Sequence, residues 1–346
     1  MNSSQTPTAD NIRPPGRFSS LLSTMARQRE AGLLLLIALI SVVVGIKDYH
    51  FLSLDVWRDI LVRCAPTAIV ACGVMLVVVT GEIDISVGSL MALLAAVMGR
   101  MISENEANLS CWIGIPATLG LGTLIGVFTG SLVSLGRVPS IIVTLGLLTA
   151  LRGLTTLIMG GENIDRLPAG LTQLAKQGLF DVPISIFAAV AIIGLTSILI
   201  YHVPLGRRLY ALGSSAQSAR MVGLSEVRLK LFVFGYTGFL TALATIVDVP
   251  RLPKIESGIG SEFELLVVTC VVVGGVAISG GQGQLIGVLL AVVLMTMIRP
   301  VLTFMDIGEA GEKWTRAIQA MFILLAVVCD SLLSLRQRRS EKEHAA

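Results

Sequence analysis

Charge is what this chain lacks most. Asp, Glu, Lys and Arg make up 14% of its 346 positions, against about 25% in an ordinary soluble domain. Hydrophobic residues reach 54% and mean hydropathy is +0.82. So few polar groups cannot cover a soluble surface, which makes this an integral membrane protein. A net charge of +3 is too small to point to nucleic acid. The five cysteines, Cys64, Cys72, Cys111, Cys270 and Cys329, are scattered in or beside apolar runs without a C-x-x-C. That pattern fits small buried residues and not a disulfide framework or metal site.

Catalytic signatures are missing too. There is no G-x-x-x-x-G-K-[ST] loop to cradle a phosphate and no H-E-x-x-H. His50, His202 and His344 fall at the ends of apolar runs or in the tail, and no Ser or Thr deep within an apolar run has a His or Lys base nearby in sequence. The chain is not read as an enzyme. Ionisable groups deep in the apolar runs are nearly confined to Arg152 and Asp248, and the lack of an acid chain argues against proton or sodium coupling. Hydroxyls are plentiful instead: Thr144, Thr149, Thr155, Thr156, Thr241, Thr245 and Thr269 suit a lining for a neutral polar solute, or serve as ordinary interhelical donors.

A bilayer-crossing helix needs roughly 20 apolar residues. Ten runs qualify: 31–46, 64–80, 86–102, 111–135, 141–159, 182–201, 231–249, 264–279, 284–303 and 315–333. The expected fold is an all-α integral membrane protein of about ten transmembrane helices, eight if the short first and eighth runs do not cross. Residues 1–30 read as a disordered tail, 31–335 as the membrane domain and 336–346 as a basic tail. An even number of spans puts both termini on one side. Arg336, Arg338, Arg339 and Lys342 crowd the end of the last span and assign that side to the cytoplasm. Loops 136–140, 202–230 and 280–283 then share the cytoplasmic side with 80–89; loops 47–63, 103–110, 160–181, 250–263 and 304–314 lie opposite.

The stretch 80–89, TGEIDISVGS, puts Thr80, Gly81, Glu82, Asp84 and Ser86 between two spans. Irregular charged backbone there is either a turn at the membrane surface or an element lining a pathway. Gly81 and Gly88 are seven apart, as are Gly280 and Gly287 at a second span junction that also carries Gly281, a faint internal echo. Gly122, Gly126 and Gly130 are spaced for close helix packing. Arg152 is expected to pair with a carboxylate or cap a broken helix in preference to binding solute. In the basic loop 205–230, a short helix over 214–221 is expected to end at Gly223. With Gly213, Arg220 and Arg228 it forms either a solvated loop that sets orientation or a docking element for a soluble partner.

Four stretches then resemble one family in order. TGEIDISVGS resembles the TGGIDLSVGS of the permease subunits of bacterial ABC monosaccharide importers, the ribose, arabinose, xylose and galactose type. VPSIIVTLGLLTALRGL (138–154), ALGSSAQSARMVGLSEVRLKLFVFGYTGFLTALA (211–244) and GIGSEFELLVVTCVVVGGVAISGGQGQLIGVLL (258–290) are similar to its other signatures, and the match covers about 33–333. Glu82 stands where that family usually has Gly, and GGENIDRLPAGLTQL (160–174) looks more like autoinducer-2 permeases, which with rhamnose permeases are close relatives. The resemblance implies a bacterial inner-membrane permease paired with a second permease chain. It implies cytoplasmic ATP-binding cassettes docked on 202–230 and a periplasmic solute-binding protein, with ATP and Mg bound by the cassettes and no cofactor in this chain. Thr80, Gly81, Glu82, Asp84, Ser86, Arg152, Gly280 and Gly281 are the candidate pathway or gate residues; Gly213, Arg220, Gly223 and Arg228 are the candidate docking residues. The other functional class consistent with the residues is a stand-alone ion-coupled or facilitative transporter. A membrane scaffold without transport is the third.

Overall fold

The helix around which the bundle is built is also its most buried. The computed structural model describes residues 17–178, 182–306, 313–322 and 324, with 17–29 as backbone alone. Helix α1 spans Arg17–Lys47, α2 Leu54–Val79, α3 Val87–Ile102, α4 Cys111–Ser134, α5 Ser140–Met159 and α6 Ala169–Gln177. Then come α7 Ile184–Tyr201, α8 Pro204–Ser214, α9 Ala216–Met221, α10 Glu226–Asp248, α11 Phe263–Val273 and α12 Leu285–Phe304. Residues 313–322 are helical as well. No strand occurs among the described residues beyond one isolated bridge between Ile164 and Ile255.

Every residue of α2 from Cys64 to Val79 is buried. Its apolar surface is unbroken, so it can face neighbours on all sides, and α10, α7, α12 and α11 pack around it. Ser53 starts it by accepting a hydrogen bond from Val56 N. Helices α4, α5 and α7 instead leave large apolar side chains such as Leu124, Leu157 and Val190 outward, as a lipid-facing shell would.

The glycine row on α4 packs against α10, as the spacing predicts. A Cβ at Gly126 would lie 2.3 Å from Phe234 O, one at Gly122 2.7 Å from Gly238 O, and one at Gly238 2.2 Å from Gly122 O. The two backbones approach without side chains between them.

Among the described residues seven helices are long and apolar enough to cross a membrane; contacts gather residues 79–83, 140, 230 and 281 at one end of the bundle, and Glu104, Ile164, Arg166 and Ile255 at the other. The end carrying α8 and α9 is called the near end below. Two expected spans differ. At about 1.5 Å per residue, α3 reaches about 24 Å and α11 about 16 Å, short of the roughly 30 Å hydrocarbon layer. The expected span over 264–279 stops at Val273, because Gly274 and Gly275 follow and Gly275 takes φ +95°. Helix α1 begins at Arg17 and so extends outward from its apolar run, since an existing helix adds turns more readily than it nucleates. Residues 1–16, the tail 336–346 and most of the span expected at 315–333 lie outside the described residues.

Candidate functional site

Three segments distant in sequence meet back to back at the near end, and glycines make the meeting possible. Gly281 N donates to Val79 O at 2.8 Å. A Cβ at Gly213, in α8, would fall 1.8 Å from that same oxygen and 2.6 Å from Gly281 N. At Gly280 it would meet Gly81 N at 2.8 Å. The echo between Gly81 and Gly280 is thus a physical contact, with α8 as its third side. Tyr210, also in α8, donates its hydroxyl to Gly283 O at 2.8 Å, and burial pushes its phenol well above the usual range.

From this junction the chain leaves α2 as an extended segment, not a hairpin turn. Thr80 Oγ1 bonds to Val77 O at 2.7 Å, and the Glu82 carboxylate lies 2.5 Å from Lys230 Nζ in α10. Ile83 N then donates to Ser140 Oγ at the start of α5 (3.1 Å). Asp84 is buried and accepts from Ser86 N (2.8 Å) and Ser86 Oγ (2.7 Å), an Asx turn that opens α3. Helices α2 and α3 are not packed as a pair; α10 packs against both. Only the first residues of TGEIDISVGS form a turn; residues 82–86 are half-buried or buried backbone leading into α3, whose first residues are buried in the bundle.

A second interruption faces the first. After Ile255, which reaches the far end of α3 near Gly99, the chain runs back along α3 to Gly260. A Cβ on Gly260 would be 2.4 Å from Gly88 O, fourteen residues or about 21 Å from the end of α3 at Ile102. Helix α11 therefore begins in the middle of the bundle. Arg152 holds this dipping segment by donating from Nη1 to Ile259 O at 2.7 Å, so it braces a broken helix. Glu264, in the first turn of α11, is buried with Oε2 against the Gly88 backbone and without a hydrogen-bond partner. The neighbouring Ser89 Oγ is buried and unpartnered too.

Most threonine hydroxyls expected as a lining are spent locally. Thr144, Thr155, Thr156, Thr241, Thr245 and Thr269 bond to carbonyls four residues back, and Thr149 does so at three and four. Asp248 is paired with Arg251 at 3.2 Å. Glu264 and Ser89, which sequence reasoning did not single out, are the polar groups left open beside the broken helix. Glu264 was visible only as a lone acid near the start of an apolar run.

At the near end α9 stands out from the bundle. Ser215 caps it by accepting from Ser218 N, and it closes as a Schellman turn: Gly223 N to Arg220 O (3.0 Å) and Leu224 N to Ala219 O (3.0 Å). Gly223 takes φ +80° there with no atom within 4 Å of a would-be Cβ. Met221 and Val222 project beside it, 80% and 76% exposed. The candidate docking residues separate: Arg220 and Gly223 belong to α9, Arg228 is exposed in the first turn of α10, and Gly213 lies inside the glycine junction. Met221 and Val222 were legible only as two apolar residues in a polar loop. At the far end a cleft of about 420 Å³ is lined by Asp55, Arg58, Asp59, Lys176 and Arg251 among others, also unanticipated.

An all-helical bundle with two interrupted helices, a dipping segment between them and a helix standing out at one end defines a polytopic membrane permease. Comparison with known proteins names the group. The family described as "Branched-chain amino acid transport system / permease component" matches residues 57–327, and the chain belongs to it. The ribose import permease protein RbsC of Escherichia coli (strain K12) is 31% identical over 322 residues, covering 91% of this chain and 96% of that protein. Its counterpart in Haemophilus influenzae (strain ATCC 51907 / DSM 11121 / KW20 / Rd) is 31% identical over 309 residues, 88% and 93% of the two chains. The autoinducer 2 import system permease protein LsrC of Escherichia coli O9:H4 (strain HS) is 32% identical over 320 residues, 92% of each. No solved structure matches. The likeness to importer permeases read from the four motifs is borne out.

Proposed function

We propose that this chain is the membrane-spanning subunit of an ATP-driven importer that carries a monosaccharide or a related small polar solute across the bacterial inner membrane. The names of its relatives, which import ribose and autoinducer 2, support that solute class. The near end is cytoplasmic in this reading. ATP and Mg are bound by separate cassette subunits, which dock on α9 through Arg220, Met221, Val222 and the Gly223 turn. A periplasmic binding protein delivers solute to the far end, and a second permease chain completes the membrane part.

The observation that carries the reading is the pair of interrupted helices meeting at Gly88 and Gly260. Broken helices at mid-depth are where transporters hold solutes and change access, and non-helical backbone at that depth is tolerated only when buried or beside water. Movement of α9 and α8 is passed through Gly213 to the junction of Gly81, Gly280 and Gly281. The junction carries both the 80–86 segment into α3 and the 276–284 turn out of α11. Parting α3 from the dipping segment then uncovers Glu264 and Ser89, whose oxygens accept from and donate to solute hydroxyls.

The test is reconstitution into proteoliposomes of the chain alone, and together with any cassette subunits that co-purify with it and a candidate periplasmic solute-binding protein. Uptake of a sugar panel that includes ribose is followed with and without internal ATP. Uptake that needs ATP and both partners is expected. Uptake by this chain alone, or driven by a proton or sodium gradient, would overturn the assignment.

A further inference from the structure

Glu82 is the acidic residue of TGEIDISVGS nearest the end of α2, and the structure gives it a partner. Lys230, one turn into α10 and 11% exposed, has its ammonium 2.5 Å from Glu82 and 2.7 Å from Glu226. Glu226 is shared in turn, with Arg220 Nη1 of α9 at 3.1 Å. The four side chains alternate in sign from the exposed helix α9, through the first turn of α10, to the segment that opens α3. Arg220 is 61% exposed, whereas Glu82 is only 15% exposed. One end of the row is open to a partner and the other is mostly covered by the bundle.

We propose that Lys230 is a positioning residue whose shared ion pairs let α9 control the 80–86 segment. Glu226 divides its attraction between Arg220 and Lys230. When Arg220 is drawn away, Glu226 is left facing Lys230 alone and competes for it with Glu82. Lys230 has weakly directional ammonium donors on a flexible stem, so it follows the stronger field. Lys230 and Glu82 are only 11% and 15% exposed, so that field is screened less than at an open surface. Glu82 then loses its anchor, and with it Ile83, Asp84 and Ser86 lose their fixed approach to α3. An acidic group on a docked cassette would draw Arg220 away in this manner, and this step rests on the docking role given to α9 above.

The test is hydrogen–deuterium exchange at the amides of residues 83–88, on the full chain in lipid nanodiscs. Glu82→Gln and Lys230→Gln are expected to speed exchange there by roughly tenfold, as expected when a local closing contact is lost. The decisive variant is Arg220→Gln, which is exposed and leaves packing intact; it is expected to speed exchange at 83–88 as well, although it touches none of those residues. Glu82→Asp is expected to restore much of the protection. Lys254→Gln, which removes a far-end surface pair with Glu256, serves as the control and leaves 83–88 unchanged. Unchanged exchange at 83–88 in Arg220→Gln, with Lys230→Gln raised or not, overturns the relay. Cassette binding is read separately by co-purification with the wild-type chain: its absence overturns the docking step, and the exchange result then judges the relay by itself.

Discussion

Replacing Gly213 with alanine is the smallest change that probes the near-end junction. The added Cβ would sit 1.8 Å from Val79 O and 2.6 Å from Gly281 N, both backbone atoms that cannot rotate away. Carbon and oxygen are at ease near 3.3 Å, so α8 has to withdraw by more than 1 Å, or the Gly281–Val79 hydrogen bond has to break. Overpacking of this kind costs typically about 1–3 kcal/mol, and the lost backbone bond adds about 1 kcal/mol. A total near 3 kcal/mol corresponds to a fall of roughly 4 °C in the melting temperature of a chain this long, at about 2.1 cal/mol/K of unfolding entropy per residue. The protein carries its own reporter: Cys64 and Cys72 in α2 and Cys270 in α11 are buried free thiols that react with a maleimide dye only when the core opens. ATP-driven uptake is expected to fall more steeply than stability, because the junction is the path from α8 to both interrupted helices. A Gly213→Ala protein that melts with the wild type and transports normally would show that α8 has slack there and would refute the reasoning.

Gly223→Val adds no clash but forces a β-branched residue to φ +80°, a strain of about 1–2 kcal/mol confined to α9; cassette ATPase activity is expected to persist while uptake per ATP falls, and unchanged coupling would count against docking there. Replacing the exposed pair Met221 and Val222 by serine is expected to leave the melting temperature within about 1 °C while reducing co-purification of the cassette several-fold. Glu264→Gln keeps the shape of a buried carboxyl whose Oε2 has no hydrogen-bond partner; near wild-type melting with at least tenfold slower uptake is expected if that oxygen meets solute, and equal uptake would leave it a packing residue. Arg152→Met removes the donor to Ile259 O and is expected to raise hydrogen exchange over 257–262 while α10 stays protected.

Most of the bundle was legible because spans, caps and loops are local. Uninterrupted apolar runs set α2, α4, α5, α7, α10 and α12 within a few residues at most ends, although α2 begins ten residues before its expected start at Cys64, with Asp55, Arg58, Asp59 and Arg63 in its first turns. Gly223 as a helix stop was readable from one residue in a polar loop. The span expected at 264–279 was not, since hydropathy counts apolar residues and is blind to where Gly274 and Gly275 end the hydrogen-bond ladder. The use of the threonines was not readable either: in a helix each of these hydroxyls donates to a carbonyl about one turn back.

By itself the sequence determined that this is a membrane permease with an importer-type set of motifs and that TGEIDISVGS joins two of its helices. Its charge scarcity and apolar run lengths leave a bilayer as the only solvent, and those are properties of single segments. Only the tertiary structure decided that the stretch enters α3 as non-helical, partly buried backbone held to Ser140, that Gly81 meets Gly280 beside α8, and that Glu82 is held by Lys230. Those contacts join residues from 57 to about 200 positions apart, and their geometry arises when α10 wedges between α2 and α3. No local pattern encodes that wedge; close packing of the whole bundle does.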